Sequence, residues 1–184
     1  MKMILASQSP RRRELLERMG ISQFEVIPAE GEEIIEPALT PAELVETLSR
    51  RKCAEVAAAH PEALIIAADT VVSIDGRILG KPQNKTEAAD MLAALSGREH
   101  VVYSGLTVFC GGETVTEHDA SAVRFRPLTG AEIERYIATG EPMDKAGAYG
   151  IQGYGSVLVE GISGDFYNVM GLPVCRLARL LARF

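Results

Sequence analysis

Six residues near the start of the chain have the types and spacing needed to bind phosphate groups. They read Ser7-Gln8-Ser9-Pro10-Arg11-Arg12 and follow the apolar segment 3–6 directly. Ser9 and Pro10 are typical of the N-cap and the first residue of a helix. Such a turn presents unpaired backbone N–H groups and the positive end of the helix dipole, and Ser7 and the two arginines add side-chain donors. The pattern indicates an anion site, although a plain helix start with solvent-facing arginines fits the same residues.

Lys81 is a second candidate for a phosphate ligand. It stands between Gly80, which permits close backbone approach, and Pro82, which favours an extended conformation at Lys81. A single lysine in a turn is usually just solvated, so Lys81 depends on other groups for its interpretation. Lys52 and Lys145 give weaker signals of the same kind. The phosphate loop pattern G-x-x-x-x-G-K-[ST] is absent from the sequence.

Asp69 is an acidic residue inside the long apolar run Leu64–Ile74. A carboxylate in such a strand must be paired, bind a metal or lie at a strand end beside a cleft. Ligand sites of α/β sheets lie beyond the carboxyl ends of strands, so we expect Asp69 to project into that crevice with Thr70 beside it. The alternative is an aspartate that caps a turn after a shorter strand.

The acidic segment Glu30–Glu33 could supply a partner for Asp69 in metal binding. Carboxylate oxygens suit Mg²⁺ or Mn²⁺, which keeps several waters and bridges to substrate phosphates. An acidic loop is more often solvated, so composition alone does not select Glu33. The three histidines show no zinc spacing.

Composition limits the classes of partner. The chain has 19 Lys and Arg against 25 Asp and Glu, and five Phe, five Tyr and no Trp. This balance disfavours a nucleic-acid-binding domain, but a few cations in one pocket can still hold a nucleotide. Three widely spaced cysteines without a CxxC pair suit a reducing cytosol, and no apolar run reaches membrane-spanning length. We therefore expect a cytoplasmic protein that binds neither nucleic acid nor membranes.

Helical and strand patterns alternate along the 184 residues, which predicts an α/β fold with a mixed sheet. The length suits one domain, or one domain with two lobes. Predicted strands cover 3–6, 24–28, 64–74, 100–110, 113–125 and 156–162. Predicted helices begin at Ser9, Thr40, Asn84, Thr129 and Pro173, the second and third with capping-box patterns. Asp75-Gly76 predicts a turn after the third strand, and residues 144–154 are rich in glycine and predict a loop.

Together these segments resemble the Maf family of nucleotide pyrophosphatases. The resemblance runs over nearly the whole chain, and several separate motifs in one order are more specific than any single one. The motifs are Ala6–Arg12, Ala68–Val72, Gly80–Pro82, Leu95–Gly97, Asp144–Gly153 and Asn168–Pro173.

This resemblance implies an α/β fold of the Maf/Ham1 type. It would be a single domain over residues 1–184, with an elongated mixed β-sheet, flanking helices and two lobes around a central cleft. The implied activity is hydrolysis of a nucleoside triphosphate to the monophosphate and pyrophosphate with a divalent cation, Mg²⁺ or Mn²⁺. The 144–153 motif resembles the branch that acts on dTTP and UTP rather than the branch that prefers N7-methyl-GTP.

The resemblance also assigns roles to individual residues. Asp69 would be the proton acceptor, and Glu33 with Asp69 would hold the metal. The family often has Asp-Glu where this chain has Glu32-Glu33, so either glutamate could be the ligand. The residues expected to hold phosphates are Ser7, Arg12, Lys52 and Lys81. The residues expected to govern substrate choice are Arg11, Thr70 and Gln152.

A rival hypothesis is a nucleotide-binding regulator of septum formation without significant turnover. Such a protein would need the Ser7–Arg12 turn but not two carboxylates, so the pair Asp69 and Glu33 favours an enzyme. A homodimer is compatible with the sequence, which does not fix the oligomeric state.

Overall fold

A computed structural model describes residues 1–31 and 39–184. Within them, a seven-stranded sheet has the order β2-β1-β3-β5-β6-β7, and β4 pairs with β3 off this path. The strands are β1 (Met3–Leu5), β2 (Glu25–Val26), β3 (Leu64–Ile74), β4 (Arg77–Leu79), β5 (Glu99–Cys110), β6 (Glu113–Phe125) and β7 (Val159–Ser163). The helices are α1 (Pro10–Arg18), α2 (Pro41–Ala59), α3 (Lys85–Leu95), α4 (Gly130–Ala138), α5 (Phe166–Met170) and α6 (Val174–Leu181). The sheet is mixed, because β1 is parallel to β2 and β3 while β4 and β7 run antiparallel to their neighbours.

The chain divides into two compact units. Unit 1 comprises Met1–Thr70, Ser104–Asp119 and Gly171–Phe184, and unit 2 comprises Val71–Tyr103 and Ala120–Met170. Each unit has its own buried cluster: β1, β3 and α2 contribute to the one in unit 1, and β3 to β7 with α3 and α4 to the one in unit 2. Among the described residues, no helix is both long enough and apolar enough to cross a membrane.

In unit 1, helix α2 lies very close to strand β5. Thr40 caps α2 with a reciprocal capping box, in which its side chain accepts from Glu43 N–H and the Glu43 carboxylate accepts from Thr40 N–H. A Cβ atom at Gly105 would stand 2.0 Å from the Val45 carbonyl oxygen, so only glycine fits beneath the helix there. One turn further on, the buried hydroxyls of Ser49 and Thr107 hydrogen-bond at 2.9 Å. These contacts fix both the distance of α2 from the sheet and its rotation about its axis.

In unit 2, local turn chemistry sets the strand pairing. Asp75 and Gly76 both have positive φ, and they link Ile74 to its partner Arg77 as a two-residue hairpin turn. Asp-Gly is the residue pair that this kind of turn favours, and the sequence predicted it.

The structure departs from the sequence prediction at β2, which covers only Glu25–Val26 of the predicted 24–28, and at three further places. Asn84 caps α3 as predicted, but the Glu87 carboxylate accepts from Gln83 N–H rather than closing a capping box with Asn84. The last strand begins at Val159 because Tyr154–Leu158 forms a 3₁₀ turn. Helix α5 was not predicted, since five residues are too few for a helical period to show.

Candidate active site

Arg12 links three separate segments of unit 1. Ser9 caps α1, whose first turn carries Arg12 on the side of strand β3. The guanidinium donates from Nε to the Gly171 carbonyl oxygen at 2.8 Å, from Nη1 to Ser7 Oγ at 3.0 Å and from Nη2 to Thr70 Oγ1 at 3.1 Å. The arginine predicted to face phosphate therefore also holds the predicted phosphate and substrate residues Ser7 and Thr70 in place.

Ser7 keeps its donor capacity in this arrangement. Its side chain is nearly buried, and its oxygen accepts from Ser9 N–H at 3.2 Å and from the Arg12 guanidinium. Both bonds use the hydroxyl as an acceptor, so its hydrogen can still donate to an anion at the turn. Arg11 lies half-buried in the same first turn of α1.

Thr70 is held by a hydroxyl that the sequence analysis missed. Ser104 on β5 is fully buried, and its Oγ lies 2.8 Å from Thr70 Oγ1. Gly171, at the other side of Thr70, has a φ of +106°, a conformation open essentially to glycine alone. The signal for Ser104 was a hydroxyl inside the apolar strand around it, as Asp69 is a carboxylate inside β3. For Gly171 the motif Asn168–Pro173 marked the place but not the role.

Lys52 and Asp69 form a close ion pair between α2 and β3. The Lys52 ammonium contacts Asp69 Oδ1, and the two side chains are 19% and 9% exposed. The buried carboxylate is thus paired, one of the three outcomes that the sequence allowed. Lys52 reaches it because α2 is anchored one turn earlier by Ser49 and, at its start, by the space that Gly105 leaves.

The position of Asp69 along its strand differs from the expectation. Strand β3 continues unbroken from Leu64 to Ile74, so Asp69 is neither at a strand end nor in a turn. The neighbouring strand β1 ends earlier, with Leu5 opposite Ile66, and this leaves Asp69 beyond the carboxyl end of β1. Asp69 therefore lies beyond the carboxyl end of β1, as expected for a ligand site in an α/β sheet, but not beyond the carboxyl end of its own strand β3.

Lys81 and Gln152 lie in unit 2. Both are exposed, Lys81 after β4 and Gln152 in residues 150–155, named here the glycine loop. The Gly147 amide donates to the Gly80 carbonyl at 3.0 Å, which joins the loop around Lys81 to the segment that leads into the glycine loop. In unit 1 the structure joins Arg12 with Ser7 and Thr70 in one network, and it joins Lys52 with Asp69 in one ion pair. Lys81 and Gln152 lie in unit 2.

Two further residues of unit 2 organise the glycine loop. The Glu141 carboxylate accepts from the Tyr136 hydroxyl and from the backbone N–H groups of Tyr154 and Gly155, all at 2.8–2.9 Å. Burial by itself raises the pKa of Glu141, but these donors and the nearby Lys145 outweigh burial and hold the pKa below its ordinary value. Neither Glu141 nor Tyr136 was singled out in the sequence, because nothing local marks them.

Metal binding was predicted for Asp69 and Glu33. Glu32 and Glu33 both lie outside the described residues. Within residues 1–31 and 39–184, no group of three or more His, Cys, Asp or Glu side chains could enclose a metal ion. The single carboxylate of Asp69 is compatible with a cation of the Mg²⁺ class. Such a cation often takes one or two carboxylates and completes its shell with water and substrate phosphates.

Comparison with known proteins connects this geometry to a family. The solved structure of a HAM1 protein from Coxiella burnetii matches the fold over 100% of both chains, with a TM-score of 0.52 at 15% identity. A dTTP/UTP pyrophosphatase of Moorella thermoacetica is 53% identical over 186 residues, which cover 100% of this chain and 95% of the relative. A dTTP/UTP pyrophosphatase of Bacillus cytotoxicus is 49% identical over 183 residues, with 100% and 95% coverage. The model of the Maf-like protein family matches residues 2–184, and the chain belongs to that family.

Proposed function

We propose that this chain is a nucleoside triphosphate pyrophosphatase that hydrolyses dTTP and UTP to the monophosphate and pyrophosphate. The observation that carries the proposal is the buried Asp69, which is paired with Lys52 and directly precedes Thr70 of the Arg12 network on strand β3. The full-length similarity to two dTTP/UTP pyrophosphatases supports the same reaction and substrates. We further propose that the protein acts on free nucleotides in the cytoplasm.

The reaction is an attack of water on the α-phosphorus. The water oxygen forms the new bond to phosphorus, the bond from the α-phosphorus to the bridging oxygen breaks, and pyrophosphate leaves with that oxygen. Asp69 accepts the proton of the water. Lys52 contacts Oδ1 of Asp69, which fixes the orientation of the carboxylate before substrate arrives.

The groups proposed to bind the phosphates are the start of α1 and the basic side chains of Arg12, Lys52 and Lys81. Ser7 can donate its hydroxyl hydrogen, and the first turn of α1 supplies backbone N–H groups and a favourable dipole. Arg12 and Lys81 would stabilise the charge that grows on the leaving pyrophosphate. Lys52 would exchange part of its contact with Asp69 for a phosphate oxygen when substrate binds.

A divalent cation would be held by Asp69, with Glu33 as the predicted second ligand. When bound, the cation supplies charge neutralisation at the phosphates and acidifies water.

Base selection is proposed for Arg11, Thr70 and Gln152. The amide of Gln152 offers both a donor and an acceptor, which matches the imide edge shared by uracil and thymine. Cytosine presents a different order of donors and acceptors on that edge, so CTP is the sharpest competitor for testing selection.

The proposal is tested by product analysis with Mn²⁺ or Mg²⁺ and each nucleoside triphosphate. We expect equal amounts of monophosphate and pyrophosphate from dTTP and UTP. Asp69→Asn should lower turnover by at least about 100-fold, since a positioned general base contributes roughly 10²–10⁴-fold. Asp75→Asn is the matched control, because it removes the same charge from an exposed turn of the same hairpin.

Three results would contradict the proposal or one of its parts. Diphosphate with orthophosphate would show cleavage at the γ position, and saturable binding without product would favour the regulator. An Asp69→Asn protein that keeps the turnover of Asp75→Asn would remove the proposed role of Asp69.

A further inference from the structure

We propose that Tyr136 and Glu141 are positioning residues that hold the glycine loop in the conformation by which Gln152 selects the base. This inference rests on the proposed function and extends it to residues outside the family motifs quoted above. It depends on contacts within unit 2 alone.

The Glu141 carboxylate uses both of its oxygens to hold the loop. Oε1 accepts from the Tyr136 hydroxyl at 2.8 Å and from Gly155 N–H at 2.9 Å, and Oε2 accepts from Tyr154 N–H at 2.8 Å. Three donors converge on one group that has acceptors only. An ionised carboxylate is the side chain that satisfies this arrangement.

Tyr136 holds the other side of Gln152. Its hydroxyl oxygen accepts from Gly150 N–H at 2.9 Å while its hydrogen goes to Glu141. The fixed points therefore lie just before Gln152, at Gly150, and just after it, at Tyr154. Three residues between two fixed points have little freedom to move, so the backbone of Gln152 is set by these two side chains.

The glycines of the loop allow close contacts with these two side chains, with Lys145 and within the loop itself. A Cβ atom would stand 2.0 Å from Glu141 Oε2 at Gly153 and 2.6 Å from Lys145 Cε at Gly150. At Gly155 it would stand 2.5 Å from the Gly150 carbonyl oxygen and 2.7 Å from the Tyr136 hydroxyl oxygen. None of the three glycines has positive φ. They are required for close approach, which identifies a packed contact rather than a flexible segment.

Glu141→Gln is the sharpest probe, because it keeps the shape and removes an acceptor. If the new NH₂ group takes the place of Oε2, it faces Tyr154 N–H; if it takes the place of Oε1, it faces Gly155 N–H. Either orientation sets two donors against each other. Glu134→Gln makes the same chemical change at an exposed position of α4 and serves as the matched control.

The readout is kcat and KM for UTP, dTTP and CTP with wild type, Glu141→Gln, Glu134→Gln and Tyr136→Phe. We expect Glu141→Gln and Tyr136→Phe to raise KM for UTP and dTTP about tenfold, and to lower the preference for UTP over CTP by a similar factor, since a displacement near 1 Å costs this much or more. Hydrogen exchange of the Gly150, Tyr154 and Gly155 amides should accelerate in both variants. Glu134→Gln should behave as wild type.

The inference fails if Glu141→Gln keeps the wild-type KM and preference. It also fails if all three substrates lose kcat equally, because that is the result of a purely structural defect. Failure of the proposed function is a separate result, recognised by the absence of pyrophosphate from the wild-type protein. In that case the dissociation constants of unhydrolysed UTP and CTP, measured by calorimetry on the same proteins, decide the inference.

Discussion

Replacing Arg12 with lysine should destabilise the protein far more than the same replacement at Arg13, its neighbour in α1. Arg12 donates to Gly171, Ser7 and Thr70 from three different nitrogens at 2.8–3.1 Å. Arg13 instead pairs with Glu17 one turn along the helix, and its side chain is 63% exposed. Both variants replace an arginine with a lysine at adjacent positions of α1. The difference between their free energies of unfolding therefore isolates the contribution of the network around Arg12.

The magnitude follows from the geometry of the acceptors. The acceptors of Arg12 lie in three directions, and the single nitrogen of lysine can replace at most one donor, so two hydrogen bonds are lost. A hydrogen bond that involves a charged group contributes about 1.5–3 kcal/mol, and the lower end applies because Arg12 is only half-buried. The expected loss in free energy of unfolding is about 3 kcal/mol. An exposed i,i+4 pair contributes about 0.3–0.5 kcal/mol, so Arg13→Lys should cost less than that.

Urea unfolding without nucleotide measures both losses, with circular dichroism to confirm that each variant starts folded. The slope against urea should be the same in all three proteins if only stability changes. A free energy of unfolding for Arg12→Lys within about 0.5 kcal/mol of that for Arg13→Lys would refute the claim that Arg12 holds Ser7 and Thr70, because that gap is no larger than an exposed ion pair.

Two further predictions concern the surrounding fold. Gly105→Ala should lower the free energy of unfolding by about 3 kcal/mol, since its Cβ would meet the Val45 backbone at 2.0 Å. Gly130→Ala has open space around it and should be neutral or slightly stabilising. Urea unfolding measures both changes, and equal losses in the two variants would contradict the packing argument. Burial lowers the pKa of His100 from 6.5 to about 4, so the folded protein favours the neutral imidazole. This stabilisation is fully present above pH 6.5, and up to about 3 kcal/mol of the free energy of unfolding is lost as the pH falls to 4. Chemical denaturation between pH 7 and 4 should show this slope, and His100→Gln should lack it; an unchanged slope would assign the acid sensitivity elsewhere.

Local chemistry explains which elements the sequence predicted correctly. The caps at Ser9, Thr40 and Thr129 and the Asp75-Gly76 turn depend on residues at most three positions apart, and all of them are present in the structure. The 3₁₀ turn at Tyr154–Leu158 was missed because its backbone is fixed by Glu141, a residue 13 positions before its start.

In the candidate site, too, local residue chemistry was predictable from the sequence and long-range contacts were not. The sequence required a partner for the carboxylate of Asp69 but could not name it, since Lys52 reaches Asp69 only through the packing of α2 on β5. Ser104 was missed for a related reason: it acts on Thr70 across neighbouring strands, and that pairing is visible only in the fold. The residue types predicted that Asp69 would need a partner, and tertiary contacts determined which side chains are the partners of Asp69 and Thr70.

The glycine loop shows most clearly why density of a residue type is a weak guide to dynamics. A run with glycine at 150, 153 and 155 is typical of a flexible loop when only the sequence is considered. In the fold, the place of the Cβ atom is taken by the Lys145 side chain at Gly150, by the Glu141 carboxylate at Gly153, and by the Gly150 carbonyl and the Tyr136 hydroxyl at Gly155. Flexibility and close packing leave the same sequence signal but have opposite consequences for Gln152, because the base selection proposed for its amide requires a backbone that is held in one place.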